Sequence, residues 1–345
     1  MEEILKILIF SLVLLIPTFK TNAFEALPKV PPIPKDNLMT VEKIKLGKSL
    51  YFDPRLSKNG TLSCNSCHNV MLGGEDNRSV SVGVNGQKGG RSAPTVWNSA
   101  FHTTQFWDGR ADSLEAQAVG PITNPIEMGM PNFEVVVERL NKIEGYNEMF
   151  KKAFPKDSKP ITKENIGKAI ATFERTLISG DSNFDLYIKG NKKALSKSAQ
   201  NGMKLVESIG CTACHSGSNF NGQTKMGEGN FQKFPTFAEN NFVKKYNFLA
   251  DEGRFQVTKN EDDKHMFRVP TWRNISLTAP YFHNGSVQTL EEAVRVMAKT
   301  QLDKDLSDLE VKDIVSFLEN LTGKFPKIEA PRLPVTNGFT VVETN

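Results

Sequence analysis

Six stretches of the 345-residue chain place apolar side chains at helical intervals: 41–51, 133–141, 163–177, 196–208, 290–298 and 310–321. Start signals sharpen several of them. Thr162 and Ser196 stand where N-cap hydroxyls belong, and Thr289-Leu290-Glu291-Glu292 has the form of a capping box. Residues 27–34 are proline-rich and read as an extended arm. Two long Gly/Asn/Ser-rich loops, 71–92 and 217–233, separate the helical stretches, and loops of that length usually carry function. The pattern predicts a mostly α protein. Residues 4–19 are apolar apart from Lys6, Ser11, Pro17 and Thr18, and Thr21-Asn22-Ala23 offers small residues for cleavage. We read 1–23 as a signal peptide. Glu2 and Glu3 offset Lys6, which leaves an uncleaved N-terminal anchor as the alternative. Either way the body of the protein is exported.

Cysteine usage adds the chemistry. All four cysteines lie in two C-x-x-C-H pentads, Cys64-Asn65-Ser66-Cys67-His68 and Cys211-Thr212-Ala213-Cys214-His215. That is the attachment signature of c-type haem: two thiols bond the two vinyl groups of one porphyrin, and the histidine binds iron. A zinc site needs no histidine after both knuckles, and its knuckles seldom lie 147 residues apart. A thioredoxin-type dithiol needs one pair, not two. Two covalent haem c groups are therefore expected, attached through Cys64, Cys67, Cys211 and Cys214. Such attachment is completed outside the cytoplasm, in agreement with the leader.

The chain also repeats itself. Pro94-Thr95-x-x-Asn98 recurs as Pro270-Thr271-x-x-Asn274 at an offset of 176, and Phe106, Gly109, Leu114 and Glu115 match Phe282, Gly285, Leu290 and Glu291 in the same register. The expected architecture is two cytochrome c-like haem domains related by internal duplication, with long loops: 24–185 and 186–345. At the same offset Met297 falls on Pro121. A methionine sulfur closes a haem iron for electron transfer, whereas proline has no donor and leaves the position open. The two haems should differ. Met266 and Met226 compete with Met297 for the ligand role.

Composition excludes little beyond one class. The net charge of +4 is spread along the chain with no basic block interleaved with aromatics, so nucleic-acid binding has no support.

Asp53-Pro54-Arg55-Leu56-Ser57, Gln105-Phe106-Trp107-Asp108-Gly109-Arg110 and 277–285 (Leu-Thr-Ala-Pro-Tyr-Phe-His-Asn-Gly) resemble the bacterial di-haem cytochrome c peroxidase family, which includes the MauG-type enzymes. The resemblance spans nearly all of the chain after the leader. It implies a periplasmic enzyme that reduces hydrogen peroxide to water with electrons from a small cytochrome c or a cupredoxin. It implies a homodimer. Carried over by position, His68 is the proximal ligand of the peroxidatic haem, and His215 with Met297 ligates the electron-entry haem. Glu127 matches the distal acid–base glutamate, Gln117 the distal glutamine and Trp107 the tryptophan between the haems. Thr278 and Pro280 match backbone ligands of an inter-haem calcium.

The chain departs from the family in two places. Many members shut the peroxidatic haem with a loop histidine, and Val84 stands at that position. The expectation is an N-terminal haem open without reductive activation, with His102 as the one alternative ligand in that half. Ser92 replaces an asparagine near the calcium, which puts side-chain ligation there in doubt. His283, the repeat equivalent of Trp107, is expected to line the inter-haem region, and His265, in an acidic loop, to be solvated. Two other functions stay open: a MauG-like oxidase of a partner protein, whose family pattern has tyrosine at the Met297 position, and a non-catalytic di-haem electron carrier.

Overall fold

The computed structural model describes residues 23–222 and 225–342. The leader, its cleavage site and the anchor alternative lie outside the described residues, Ala23 excepted. Among the described residues the helices are α1 (Val41–Phe52), α2 (Cys64–Cys67), α3 (Leu114–Thr123), α4 (Phe133–Asn141), α5 (Glu144–Ala153), α6 (Lys163–Glu174), α7 (Asn183–Ile188), α8 (Lys197–Ile209), α9 (Asn241–Lys245), α10 (Phe255–Thr258), α11 (Leu290–Leu302) and α12 (Asp308–Glu319). Two short antiparallel strands, β1 (Phe231–Lys233) and β2 (Met266–Arg268), are the only sheet among them. The protein is mostly helical, as expected. β1 falls at the end of a stretch read as loop.

Thr162 and Ser196 cap α6 and α8 by accepting from the backbone N–H groups of Asn165 and Ala199, both at 3.1 Å. Thr289 caps α11 in the same way, but the capping box does not close. Its Glu292 carboxylate instead accepts from Lys245 Nζ at 2.8 Å and Tyr246 OH at 2.6 Å. Two stronger donors outcompete one backbone N–H. A reciprocal box forms at α12 between Ser307 and Glu310.

Buried apolar side chains fall into two large clusters, one drawn from Leu46 to Leu177 and the other from Phe184 to Leu321. Each contains one close helix pair, α1 on α6 and α8 on α12. Glycine sits at both crossings. A Cβ on Gly47 would stand 1.8 Å from Ala169 O, and one on Gly202 would stand 1.9 Å from Asp313 O, so only glycine lets the backbones touch.

The sequence repeat is also a repeat of backbone geometry. Asn98 and Asn274 are both left-handed at φ 62°, and Phe106 and Phe282 are left-handed at 66° and 71°. Short bridges close Gln105 onto Ala111 and Tyr281 onto Val287. Then α3 and α11 begin at equivalent residues, Leu114 and Leu290. The two asparagines converge on Ser179 Oγ, which accepts from Asn98 Nδ2 at 2.8 Å and Asn274 Nδ2 at 2.7 Å.

Candidate active site

Each pentad opens onto its own cavity. Cys64, Cys67 and His68 line the first, together with Gln117, Pro121, Glu127, Ile170 and Glu174. Cys211, Cys214 and His215 line the second, together with Met297, Thr278, Pro280 and His283. All four cysteines are free thiols.

The histidines are oriented alike. His68 donates from Nδ1 to Pro94 O at 2.9 Å, and His215 from Nδ1 to Phe220 O at 2.9 Å. A carbonyl only accepts, so each ring keeps its Nε2 lone pair for a metal. Burial lowers the pKa of both, that of His215 to about 4, which keeps the rings neutral and able to ligate. His215 stacks on Trp272 with centroids 4.4 Å apart. Tyr51 OH donates to His68 O at 2.6 Å and holds the end of α2. Paired thiols, an oriented neutral imidazole and an adjoining cavity fit a haem in each half.

Above the first pentad, α3 presents Gln117 and Pro121 one turn apart, and the turn after it presents Glu127. Asn124 Nδ2 donates to Glu127 Oε1 at 2.9 Å. Burial raises the Glu127 pKa, while Arg110 and the Asn124 bond hold it back. Arg110 itself lies over the Phe106 ring, 3.5 Å from its centroid, and pairs with Asp108 at 2.9 Å. Val84 donates its backbone N–H to Glu127 O at 2.8 Å, and its side chain packs toward Gly129, where an added Cβ would meet a Val84 methyl at 2.7 Å.

Trp107 lines both cavities. Its indole N–H donates to Ser92 O at 2.9 Å, and Ser92 N–H donates to His283 O at 2.7 Å. His283 lies edge-on to Trp107 at 6.4 Å and stacks on Phe267 at 4.4 Å. Arg268 closes the assembly, its backbone N–H donating to Trp107 O at 2.8 Å and its Nε to Phe106 O at 3.0 Å.

Three readings from the sequence need correction or narrowing. His102 borders the second cavity rather than the first, where it accepts from Arg268 Nη1 at 2.6 Å. Burial and the Arg268 charge push its pKa well down. His265 is half-buried, not solvated, because its Nδ1 donates to Asp251 O at 2.9 Å. Of the three candidate methionines, Met297 borders the second cavity; Met226 is exposed, and Met266 lies in β2. Asn77 Nδ2 reaches Leu277 O at 3.2 Å and Ala279 O at 3.1 Å, whereas the carbonyls of Thr278 and Pro280 accept no hydrogen bond among the described residues. No group of three acidic, histidine or cysteine side chains gathers there as a metal site among the described residues. Sequence reasoning missed Glu174 and Arg268, both buried and both bordering a cavity.

Comparison with known proteins gives this arrangement its class. Residues 41–193 match the family model for di-haem cytochrome c peroxidase. The chain is 46% identical to a cytochrome c551 peroxidase of Pseudomonas aeruginosa over 86% of its own length and 83% of that protein's. It is 36% identical to the methylamine utilization protein MauG of Methylorubrum extorquens over 89% of its length and 86% of the relative's. A solved MauG-like protein associated with microbial copper homeostasis superposes with a TM-score of 0.76 at 34% identity, covering 86% of this chain and 95% of that one. The chain belongs to the di-haem cytochrome c peroxidase family. Two haem c groups follow from that membership.

Proposed function

We propose that the protein is a periplasmic peroxidase that reduces hydrogen peroxide to water with electrons from a small cytochrome c or a cupredoxin. One observation carries the reading: the cavities differ at equivalent positions. Pro121, Gln117 and Glu127 surround the first, while Met297 stands over the second. The bound haems would supply two irons, one to engage peroxide and one to relay electrons. His68 would hold the first through Nε2, and His215 with Met297 the second. The thioethers would run from Cys64 and Cys67, and from Cys211 and Cys214.

Pro121 leaves the far side of the first cavity without a ligand, so a small oxidant can enter. Gln117 orients it through its amide. Glu127 as carboxylate takes the proton from one peroxide oxygen and returns it to the other, which departs as water as the O–O bond breaks. Two electrons from the donor, relayed through the haems, and two protons from solvent would carry the remaining oxygen to a second water. Trp107 fills the gap between the cavities and shortens the electron path. Val84 cannot close the first site, so no prior reduction is needed.

The two core clusters support one haem domain in each half, read as 24–185 and 186–345 behind a leader at 1–23, with Phe24 and Phe184 crossing to the second core and Ile328 and Val341 to the first. Thr278 and Pro280 would hold calcium through their carbonyls, and the protein would act as a homodimer. Met297, rather than a tyrosine, favours peroxidase over a MauG-like oxidase, and a plain electron carrier has no use for Glu127 beside an open position.

The test is steady-state peroxide reduction by the purified di-haem protein with a reduced small cytochrome c as donor. Turnover without prior reduction is expected. No peroxide-dependent donor oxidation, before or after reduction, overturns the reading.

A further inference from the structure

Helices α6 and α12 do the same work in the two halves. Asn98 bonds Leu177 O through its N–H and Ser179 N through its Oδ1, while Asn274 bonds Leu321 O and Gly323 N in the same way. The two segments are thus related by a constant step of 144 residues. That step carries Ile170 onto Ile314, and each lines the cavity of its own half. One turn further on, the match breaks. Leu318 is an apolar wall of the second cavity, and its equivalent in the first is Glu174.

Glu174 is 5% exposed, and its Oε2 is buried with no hydrogen-bond partner. The neighbouring cation, Arg175, gives it no hydrogen bond, although its charge favours the carboxylate. Arg175 is committed to Glu115 through bonds of 2.6 and 3.0 Å. The other titratable groups facing Glu174 are Tyr51 from α1, whose hydroxyl is spent on His68 O, Cys64 from α2 and Glu115 from α3. None of them is a free cation. A buried carboxylate without a partner is costly, so the group must either be protonated or find its counter-charge in the cavity.

We propose that Glu174 is the proton-coupling residue of the haem in the first cavity, and that the second haem has no counterpart because Leu318 stands at that position. The step balances simply. One electron from the donor reduces the ferric iron to ferrous, and one proton from solvent converts the Glu174 carboxylate to the acid. The ferric centre carries a positive charge that favours the carboxylate, and the ferrous centre has lost it. Burial is the main cause that raises the Glu174 pKa to about 8, a value that already includes Arg175 lowering it and Glu115 raising it. The ferric charge draws it below that value, so proton uptake falls in the range beneath pH 8. The inference rests on a haem in the first cavity, as in the function proposed above, but not on peroxide turnover.

The experiment is a mediated potentiometric titration of the di-haem protein from pH 5 to 9, with each haem followed by its own absorption bands. In the wild type the reduction equilibrium of the first haem should shift tenfold per pH unit, ~59 mV, across the coupled range. Glu174→Gln keeps the shape and should flatten that slope while leaving the second haem's titration unchanged. Glu174→Leu, which copies the other half, should do the same and stands in if the glutamine variant fails to load haem. A slope that survives in either variant would place the proton on another group of the cavity, Glu127 or a haem propionate, and overturn the proposal. A flat wild-type titration overturns it equally. A protein with the slope but without peroxidase activity keeps this inference and loses the function proposed above.

Discussion

Glu127→Gln separates the chemistry of the first cavity from its architecture. The amide occupies the same volume, and its oxygen still accepts the Asn124 Nδ2 bond that holds the carboxylate at 2.9 Å. What disappears is the ability to take and return a proton. General acid–base catalysis contributes about 10²–10⁴-fold. At 1.36 kcal/mol per decade, the variant should lose ~3–5 kcal/mol of transition-state stabilisation in its reaction with peroxide. The pH profile gives a second signature. Glu127 must be ionised to act as base, so kcat/KM rises with pH through its pKa and then levels. Because burial raises that pKa, the acid limb lies above the ordinary glutamate range. Arg110→Gln removes the charge that holds the pKa down, so it should move the limb to still higher pH. The assay is stopped-flow reaction of the di-haem protein with peroxide between pH 4 and 8. Glu127→Gln should be slow and flat across that range. A variant that reacts within tenfold of wild type, or keeps the wild-type acid limb, refutes the role.

The resting ferric protein should show one high-spin and one low-spin haem and react with peroxide without prior reduction, since Val84 packs toward Gly129 and carries no ligating atom; low-spin spectra at both irons would sink the open-site reading. Met297→His should lower the second haem's potential, within the ~0.8 V over which axial ligands set haem potentials, and slow steady-state turnover more than the direct reaction with peroxide. An unchanged potential would remove Met297 from the ligand set. Gly202→Ala would drive a methyl to 1.9 Å from Asp313 O, forcing α8 off α12 at a cost of about 1–3 kcal/mol or more. Denaturant melts of the haem-loaded protein check this, and an unshifted midpoint would show that the crossing is not tight.

Much of this is legible in the amino-acid sequence. The strongly periodic stretches became α1, α4, α6, α8, α11 and α12, because an apolar stripe at helical spacing has to be buried and the repeat supplied two cores to bury it. α3 escaped notice because Gly120 and Pro121 interrupt it, yet the proline that weakens the helix pattern is the residue that borders the first cavity without a donor atom. β1 and β2 are too short, at three residues each, for alternation to show. His265 sits among acidic neighbours in sequence, and only the fold could bring Asp251 O to its ring. His102 is a similar case, since Arg268 lies 166 residues away in the chain.

The repeat was more informative than it first seemed, because it works at more than one step. The offset of 176 aligns the loops and sets Met297 against Pro121, which asks what binds each iron on its far side. The step of 144 aligns the C-terminal helices and sets Glu174 against Leu318, which asks what charge stands beside each porphyrin. Where the halves agree, at Gly47 and Gly202 or Asn98 and Asn274, the shared residues are those the backbone cannot do without. At two disagreements, Pro121 against Met297 and Glu174 against Leu318, the differing side chains border the cavities. Duplication preserved the scaffold, and divergence at these lining positions is what the proposed division between electron entry and peroxide reduction rests on.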